Sequence, residues 1–250
     1  MSEYIKFSCE RVAGEITSFG GLPELNAYRR KLLDLRLIGV DPTGVGFGNL
    51  SVRDRTTKGF YITGSATGGI QELTLTHCAK VVAWDFERNR VRYQGSVMPS
   101  SESLTHAAIY ESDVTAGAVV HCHCSRLWAA ILNEAPTTSN AVEYGTPEMA
   151  YEMTQLFTRT KVQIRKIVVM AGHEGGILTF GKDLEEAFAI LMLNAWELLL
   201  KARVMKEEGG NLRSIEVWEP RTRADGRRTE RQYPKRNRAQ VRTRRGGGRP

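Results

Sequence analysis

Gly117-Ala-Val-Val-His-Cys-His123 is an apolar run that ends in two histidines one residue apart. A β-strand repeats every two residues, so His121 and His123 share one face. Two neutral imidazoles side by side at a strand end make half of a metal site. The run thus specifies a buried strand and a candidate ligand pair together.

The 250 residues are 41% hydrophobic, enough for one sizeable core with nothing that forces a second. The first ten residues have no basic segment followed by an apolar run, so no signal peptide is expected. The greasiest stretch, Ala187 to Leu200, is broken by Asn194 and Glu197 and falls short of a bilayer span; it reads as a buried helix. Four cysteines in a chain this long do not make a disulfide framework, which fits a reducing, cytoplasmic compartment.

The net charge of +7 is unevenly placed. Residues 221–250 hold eleven Arg and one Lys against Asp225 and Glu230, a net +10, so the chain's +7 leaves −3 on residues 1–220. This tail has almost no apolar residues to offset its ordering entropy, and a disordered segment is expected over residues 209–250, after a catalytic domain over 1–208. It reads either as a tether for phosphate backbones or acidic surfaces, the one route to nucleic acid in this chain, or as a solvated extension or out-of-frame read of GC-rich DNA.

Helical and strand periods alternate along the domain. Leu22 to Leu37 reads as a helix, with Pro23 in its first turn. Asn49 to Arg53 with Phe60 to Thr63, then Val81 to Phe86 with Arg90 to Tyr93, read as two strand pairs. A helix opens at Ser101 and runs through Tyr110, the strand Ala118 to Cys124 follows, and Arg126 to Leu132 is helical. Thr146-Pro147-Glu148 starts a helix to about Phe157. Ile167 to Met170 and Gly176 to Phe180 are buried strands around His173, and Asp183 caps a helix that ends near Lys206. No repeat is visible. The pattern is an α/β layered domain with a mixed sheet covered by helices.

Four further segments carry chemistry. Pro99-Ser100-Ser101-Glu102 puts two hydroxyls and free N–H groups at a helix start, where an anion is favoured, or else simply caps the helix. Gly48-Asn49-Leu50-Ser51 and Thr67-Gly68-Gly69 are small polar turns whose N–H groups suit phosphate oxygens, or plain turns. Gly172-His173-Glu174 follows an apolar strand and places a third imidazole at a strand end, as a ligand or as a buried, hydrogen-bonded histidine.

Taken in order, Gly-Asn-x-Ser, Thr-Gly, Pro-Ser-Ser-Glu, His-x-His and a late Gly-His before Gly181-Lys-Asp-Leu-Glu-Glu-Ala-Phe188 resemble the class II aldolase/adducin family over about residues 22 to 205. The resemblance implies a three-layer α/β/α fold with a central mixed, largely antiparallel sheet. It implies a metal enzyme, usually a cyclic homotetramer, like the family's fuculose-phosphate aldolases, ribulose-phosphate epimerases and methylthioribulose-phosphate dehydratases. By motif, His121, His123 and His173 take the places of the metal ligands and Glu102 that of the catalytic acid/base. Asn49, Thr67, Gly68, Ser100 and Ser101 take those of the phosphate cradle.

Three histidines leave a divalent ion, zinc by ligand preference, its full charge and open positions. The expected activity is that of a metal-dependent aldolase-type lyase on a small sugar phosphate or related ketose, through a metal-stabilised enediolate. Epimerisation and dehydration start from the same chemistry, and a non-catalytic adducin-head scaffold is the alternative of another class. Glu102 reads equally as a fourth ligand or a first-turn acid, and Cys124 as a thiol near the ion or a small packed one. Three departures separate the chain from the family pattern. Glu134 to Tyr144 is a short link where the aldolases carry a loop that reaches a neighbouring subunit, so the second proton-transfer group is lacking unless Tyr144, otherwise an ordinary packed tyrosine, replaces it. The turn from Ile62 to Gly69 is long, and Glu174 separates His173 from Gly175.

Overall fold

The computed structural model describes residues 6–207. Ten strands and six helices follow in chain order: β1 (Ser8–Arg11), α1 (Leu22–Asp34), β2 (Gly39–Val40), β3 (Gly46–Phe47), β4 (Asn49–Arg53), β5 (Phe60–Thr63), β6 (Cys78–Asp85), β7 (Arg90–Gln94), α2 (Ser103–Ser112), β8 (Ala118–His123), α3 (Ser125–Ile131), α4 (Pro147–Arg159), α5 (Val162–Arg165), β9 (Ile167–Val169), β10 (Gly176–Gly181) and α6 (Leu184–Glu207). Eight strands form one sheet in the order β1-β7-β6-β5-β4-β8-β10-β9, antiparallel throughout except for the β1–β7 pair, while β2 and β3 form a small separate hairpin. The expected mixed, largely antiparallel sheet is present. The basic tail foreseen over residues 209–250 lies outside the described residues.

The sheet separates two cores, and strand period decides which residue joins which. Val119 of β8, Leu178 and Phe180 of β10, and Phe60 and Ile62 of β5 pack with Leu104, Ile109 and Tyr110 of α2 and with Met149 and Met153 of α4. Ala118, Val120 and Cys122 of β8 and Ile177 of β10 face the other way, into Leu25 and Leu32 of α1 and Leu184 and Leu191 of α6. Helices on both faces give the α/β/α sandwich. Helix α2 is the most enclosed of the helices: every residue from Ser103 to Tyr110 is buried.

Local chemistry places the helix ends. Thr146 caps α4 by accepting the Met149 N–H, with Pro147 just behind it, and Asp183 Oδ1 caps α6 by accepting the Glu186 N–H at 2.8 Å. Helix α1 stops at Asp34, three residues before its apolar periodicity does. Arg36 turns into the left-handed region (φ 56°), and the Leu37 and Arg36 N–H groups reach back to the Leu32 and Leu33 carbonyls. That is the hydrogen-bond pattern of a Schellman stop, in which the apolar residue after the turn folds back onto the helix. Leu37 therefore continued the helical spacing while lying outside the helix. Strand β1 and the β2–β3 hairpin had no signal, being too short for period two to show.

Arg29 of α1 is 2% exposed and has no carboxylate partner among the described residues. Its guanidinium donates to the carbonyls of Thr67 (2.6 Å), Gly68 (2.9 Å) and Ile70, pinning the long turn after β5 from behind. Arg29→Met keeps the bulk and removes every guanidinium donor, leaving the Thr67 carbonyl only its bond from the Ile70 N–H and freeing the turn to shift. It should lower the unfolding free energy by roughly 2 to 4 kcal/mol, read as a drop in urea midpoint at unchanged m-value.

Candidate metal centre and active site

Strand β8 lies at the centre of the sheet, between β4 and β10, with His121 opposite Asn49 on one side and Leu178 on the other. His123 ends the strand, and its N–H leaves the ladder for the Leu37 carbonyl at 2.8 Å. His173 arrives from the turn between β9 and β10. That turn is tight enough to exclude side chains: a Cβ on Gly172 would sit 2.0 Å from the Val142 carbonyl oxygen, and one on Gly176 would sit 2.4 Å from the His173 ring. The glycines flanking His173 therefore set its ring position.

The three imidazoles converge. His123 Nε2 lies 3.2 Å from His121 Nε2 and 2.9 Å from His173 Nε2, and the ligand atoms of all three fall within 4.8 Å of one another. About 3.3 Å separates two nitrogens of a tetrahedral site with metal–nitrogen bonds near 2.0–2.1 Å, so the spacing suits one small divalent ion. The proton inventory suits it too. His121 Nδ1 donates to the Ile177 carbonyl at 3.2 Å, which fixes the tautomer with a lone pair on Nε2. Burial, followed by its histidine neighbours, holds His121 well below the usual imidazole range; burial pulls His123 down to about 4 and, with His123 and Lys6 adding to it, His173 down to about 3. All three are neutral at physiological pH and available as ligands.

Glu102 is the N-cap residue of α2 and is 2% exposed, yet its carboxylate does not cap the helix. Oε2 accepts the Thr105 hydroxyl at 2.7 Å, and Oε1 is buried with no partner. Burial raises its pKa to about 7, with Thr105 and Lys6 pulling in the opposite direction. Glu102 is not part of the convergent ligand set, and neither is Cys124, which begins α3 and packs against the α1/α6 core. With no ion bound, then, this is a carboxyl that burial shifts toward its protonated form, with one free oxygen, an arrangement suited to giving and taking a proton.

Segments expected to cradle phosphate are tied to one another through the backbone. Gly64 bridges to Pro99 and the Ser65 N–H donates to Met98, which ties the turn after β5 to the Pro99–Glu102 segment. A Cβ on Gly46 would lie 3.2 Å from the Gly68 nitrogen, so β3 and the Thr67–Gly68 turn also touch. Asn49 is buried with its Oδ1 unpartnered. Thr67 and Ser100 are buried as well: the Thr67 hydroxyl donates to the Gly64 carbonyl at 2.7 Å, and Ser100 Oγ receives the Glu102 N–H at 3.4 Å. Ser101 is half-buried.

Four further residues lie at the centre, and of these the sequence singles out Tyr144 alone. The Tyr144 ring stands edge-on to His173 with centroids 4.4 Å apart, and Phe47 lies 5.4 Å from His123. Tyr144 is thus at the site through its ring. Lys6, just ahead of the edge strand β1, holds its ammonium 4.2 Å over the Tyr144 ring and 2.7 Å from Glu143, and its charge acts on both Glu102 and His173. A lone lysine near a terminus gives no motif to find. His106, one turn after Glu102, is fully enclosed and pushed down to about 3 by burial, so its ring is neutral. Far from the histidines, a cavity of about 450 Å³ opens at the opposite ends of β4 and β8, lined by Phe19, Arg53, Tyr61 and Lys182. None of the residues that line it is a histidine.

The family profile of the Class II Aldolase and Adducin N-terminal domain matches residues 40–196. The chain belongs to this family. Solved structures share its fold. An L-fuculose 1-phosphate aldolase superposes with a TM-score of 0.56 at 24% identity, over 79% of this chain and 92% of that one. A sugar-phosphate aldolase from Thermotoga maritima gives 0.55 at 18% identity, over 76% and 96%. L-fuculose-1-phosphate aldolase from Thermus thermophilus gives 0.54 at 20%, over 76% and 98%. Among curated proteins there is no significant match.

Two outcomes follow from the geometry. Protein reconstituted with a divalent metal should hold close to one ion per chain by mass spectrometry, and His123→Ala should lose it. The second concerns pH. Glu102 keeps its proton to about pH 7 in the folded state, against 4.5 when unperturbed, so its own contribution to the stability of metal-free protein falls as pH rises through that window and then levels off, while the buried neutral histidines contribute in the opposite direction. Glu102→Gln removes the term. Chemical denaturation should find it about 2 to 3 kcal/mol more stable than the parent at pH 8, with the difference vanishing near pH 4.

Proposed function

We propose that the chain is a metal-dependent aldolase-type lyase that acts on a small sugar phosphate or a related anionic ketose. The observation that carries the reading is the pairing of three neutral, convergent imidazoles with a buried carboxyl whose one free oxygen titrates near neutrality. His121, His123 and His173 would hold the ion, which we assign as zinc because three nitrogens at this spacing suit it. When bound, the ion supplies Lewis-acid stabilisation of negative charge on neighbouring oxygens.

The chain's own groups do the rest. Thr105 fixes Oε2 of Glu102, so the free Oε1 takes the proton released beside the substrate carbonyl and returns it to the product. Asn49, Thr67, Gly68, Ser100 and Ser101 receive the anionic end and hold the reacting carbons at a fixed distance from that oxygen. Arg29 keeps the Thr67–Gly68 part of the cradle in place. Phe47 and Tyr144 flank the histidines and limit water. Lys6 adds positive charge on the Glu102 side.

Bond cleavage, epimerisation and dehydration share the first proton transfer, so the same residues serve an epimerase or a dehydratase equally. A scaffold of the adducin-head type would leave the desolvated imidazoles and the free Glu102 oxygen without use. As part of the same reading we place the protein in the cytoplasm as a homo-oligomer, a tetramer by family resemblance. No helix among the described residues is long and apolar enough to cross a membrane.

The test is a screen of ketose phosphates with product identification, run with metal and after chelation. Turnover should require metal. Glu102→Gln should keep the ion and lose roughly two to four orders of magnitude in kcat, the usual scale for a general acid/base. Near-normal kcat in that variant would reduce Glu102 to a structural group.

A further inference from the structure

Helix α2 and strand β4 run side by side with matched repeats. Four residues of helix advance about 6 Å and two residues of strand about 6.6 Å. Glu102, His106 and Tyr110 therefore step in time with Asn49, Ser51 and Arg53, level by level. On the middle and lower levels the rows are bonded: His106 Nδ1 to Ser51 Oγ at 2.7 Å, Ser51 Oγ to the Tyr110 hydroxyl at 2.8 Å, and Arg53 Nη2 to the Tyr110 carbonyl at 2.7 Å. This polar column runs through an otherwise apolar layer of Phe60, Ile62, Ile109, Val119 and Phe180. Such a column is costly unless every member is satisfied.

Its lower end is closed, because Arg53 also donates to the carbonyls of Asp113 and Ala116. The upper end is open: His106 Nε2, Asn49 Oδ1 and Glu102 Oε1 are all buried without a partner. Each hydroxyl has one proton to give. If Tyr110 donates to Ser51 and Ser51 to Nδ1, the neutral ring carries its proton on Nε2, a donor left open at the same end of the column as the unpartnered Asn49 acceptor. The reverse order leaves a bare lone pair on Nε2, which would draw either an Asn49 amide N–H away from the anion or the very proton that Glu102 has to move.

We propose that His106 is a positioning residue for Asn49: its Nε2–H engages the Asn49 amide oxygen and turns the amide N–H groups toward the bound anion. The bond closes by side-chain rotation at Asn49 as an anion draws its N–H groups outward. The inference rests on the reading of Asn49 as an anion ligand and reaches one residue behind it.

The experiment uses the full-length, metal-loaded protein with 15N-labelled histidine and inorganic phosphate as the probe. His106 should appear as the Nε2-protonated tautomer, and phosphate should move its Nε2 resonance. Asn49→Ala should abolish that response and Glu102→Gln should retain it. His106→Leu should weaken phosphate binding about tenfold, His106→Gln should recover most of it through its amide donor, and His106→Leu should add nothing in the Asn49→Ala background. Ser51→Ala, a milder change, should mix the tautomers if His106→Leu fails to fold. An Nδ1-protonated ring, additive losses, or a response that depends on Glu102 in place of Asn49 would overturn the proposal. Parent protein that binds no phosphate, yet whose Nε2 resonance shifts in Asn49→Ala, would keep the link and fail the anion reading instead.

Discussion

Three imidazoles packed so that His123 Nε2 lies 2.9 and 3.2 Å from its two neighbours can be stripped of water only while none carries a charge. Protonating one would place a cation in a low-dielectric site against two others, so desolvation and mutual repulsion act in the same direction. The same desolvation works the other way on Glu102, holding a proton on an acid that would otherwise have lost it. One physical cause thus gives both halves of the chemistry, ligands kept bare and a carboxyl kept near its midpoint. The protein achieves this with enclosure by the sheet and α2 and with very few formal charges.

The fold delivers that enclosure from separate parts of the chain. β8 brings two imidazoles on a rigid central strand, and β9 and β10 bring the third on a glycine-shaped turn. α2 then lies over the same face with Glu102 at its start. From the far side of the sheet, α1 sends Arg29 to hold the turn after β5 by its carbonyls, so a residue of one core shapes the edge of the site that belongs to the other. Loss of any one layer would open the site to water and relax the shifts that define it.

What the sequence revealed and what it hid divide along a physical line. His121, His123, His173 and Glu102 were legible because a strand's period and a helix start place side chains by local rules. The three-layer arrangement was legible for the same reason, since alternating periods of two and 3.6 force helices onto a sheet. Arg29, Lys6 and His106 were not. Each acts through a partner 38 or more residues away or through a helix face buried on every side, where no polar and apolar alternation remains to read. Tyr144 was left between a packed ring and a site residue, and its ring contact with His173 depends on how the short Glu134–Tyr144 link closes, which no local preference encodes.

The alternation along β8 also governs how this protein tolerates change over evolutionary time. Val120 and Cys122 point into one core while His121 and His123 point into the other layer, and β4 and β10 fix the register on both sides. Inserting or deleting one codon in this strand would exchange the two sets, burying imidazoles in grease and presenting a valine and a thiol where ligands belong. No compensating point change elsewhere could restore both faces at once. At the outer edge, β1 has a single paired neighbour, so slippage there disturbs one ladder only. Length variation among descendants of this chain should accordingly gather at the sheet's rim and in its loops, with the central strand inherited at constant length.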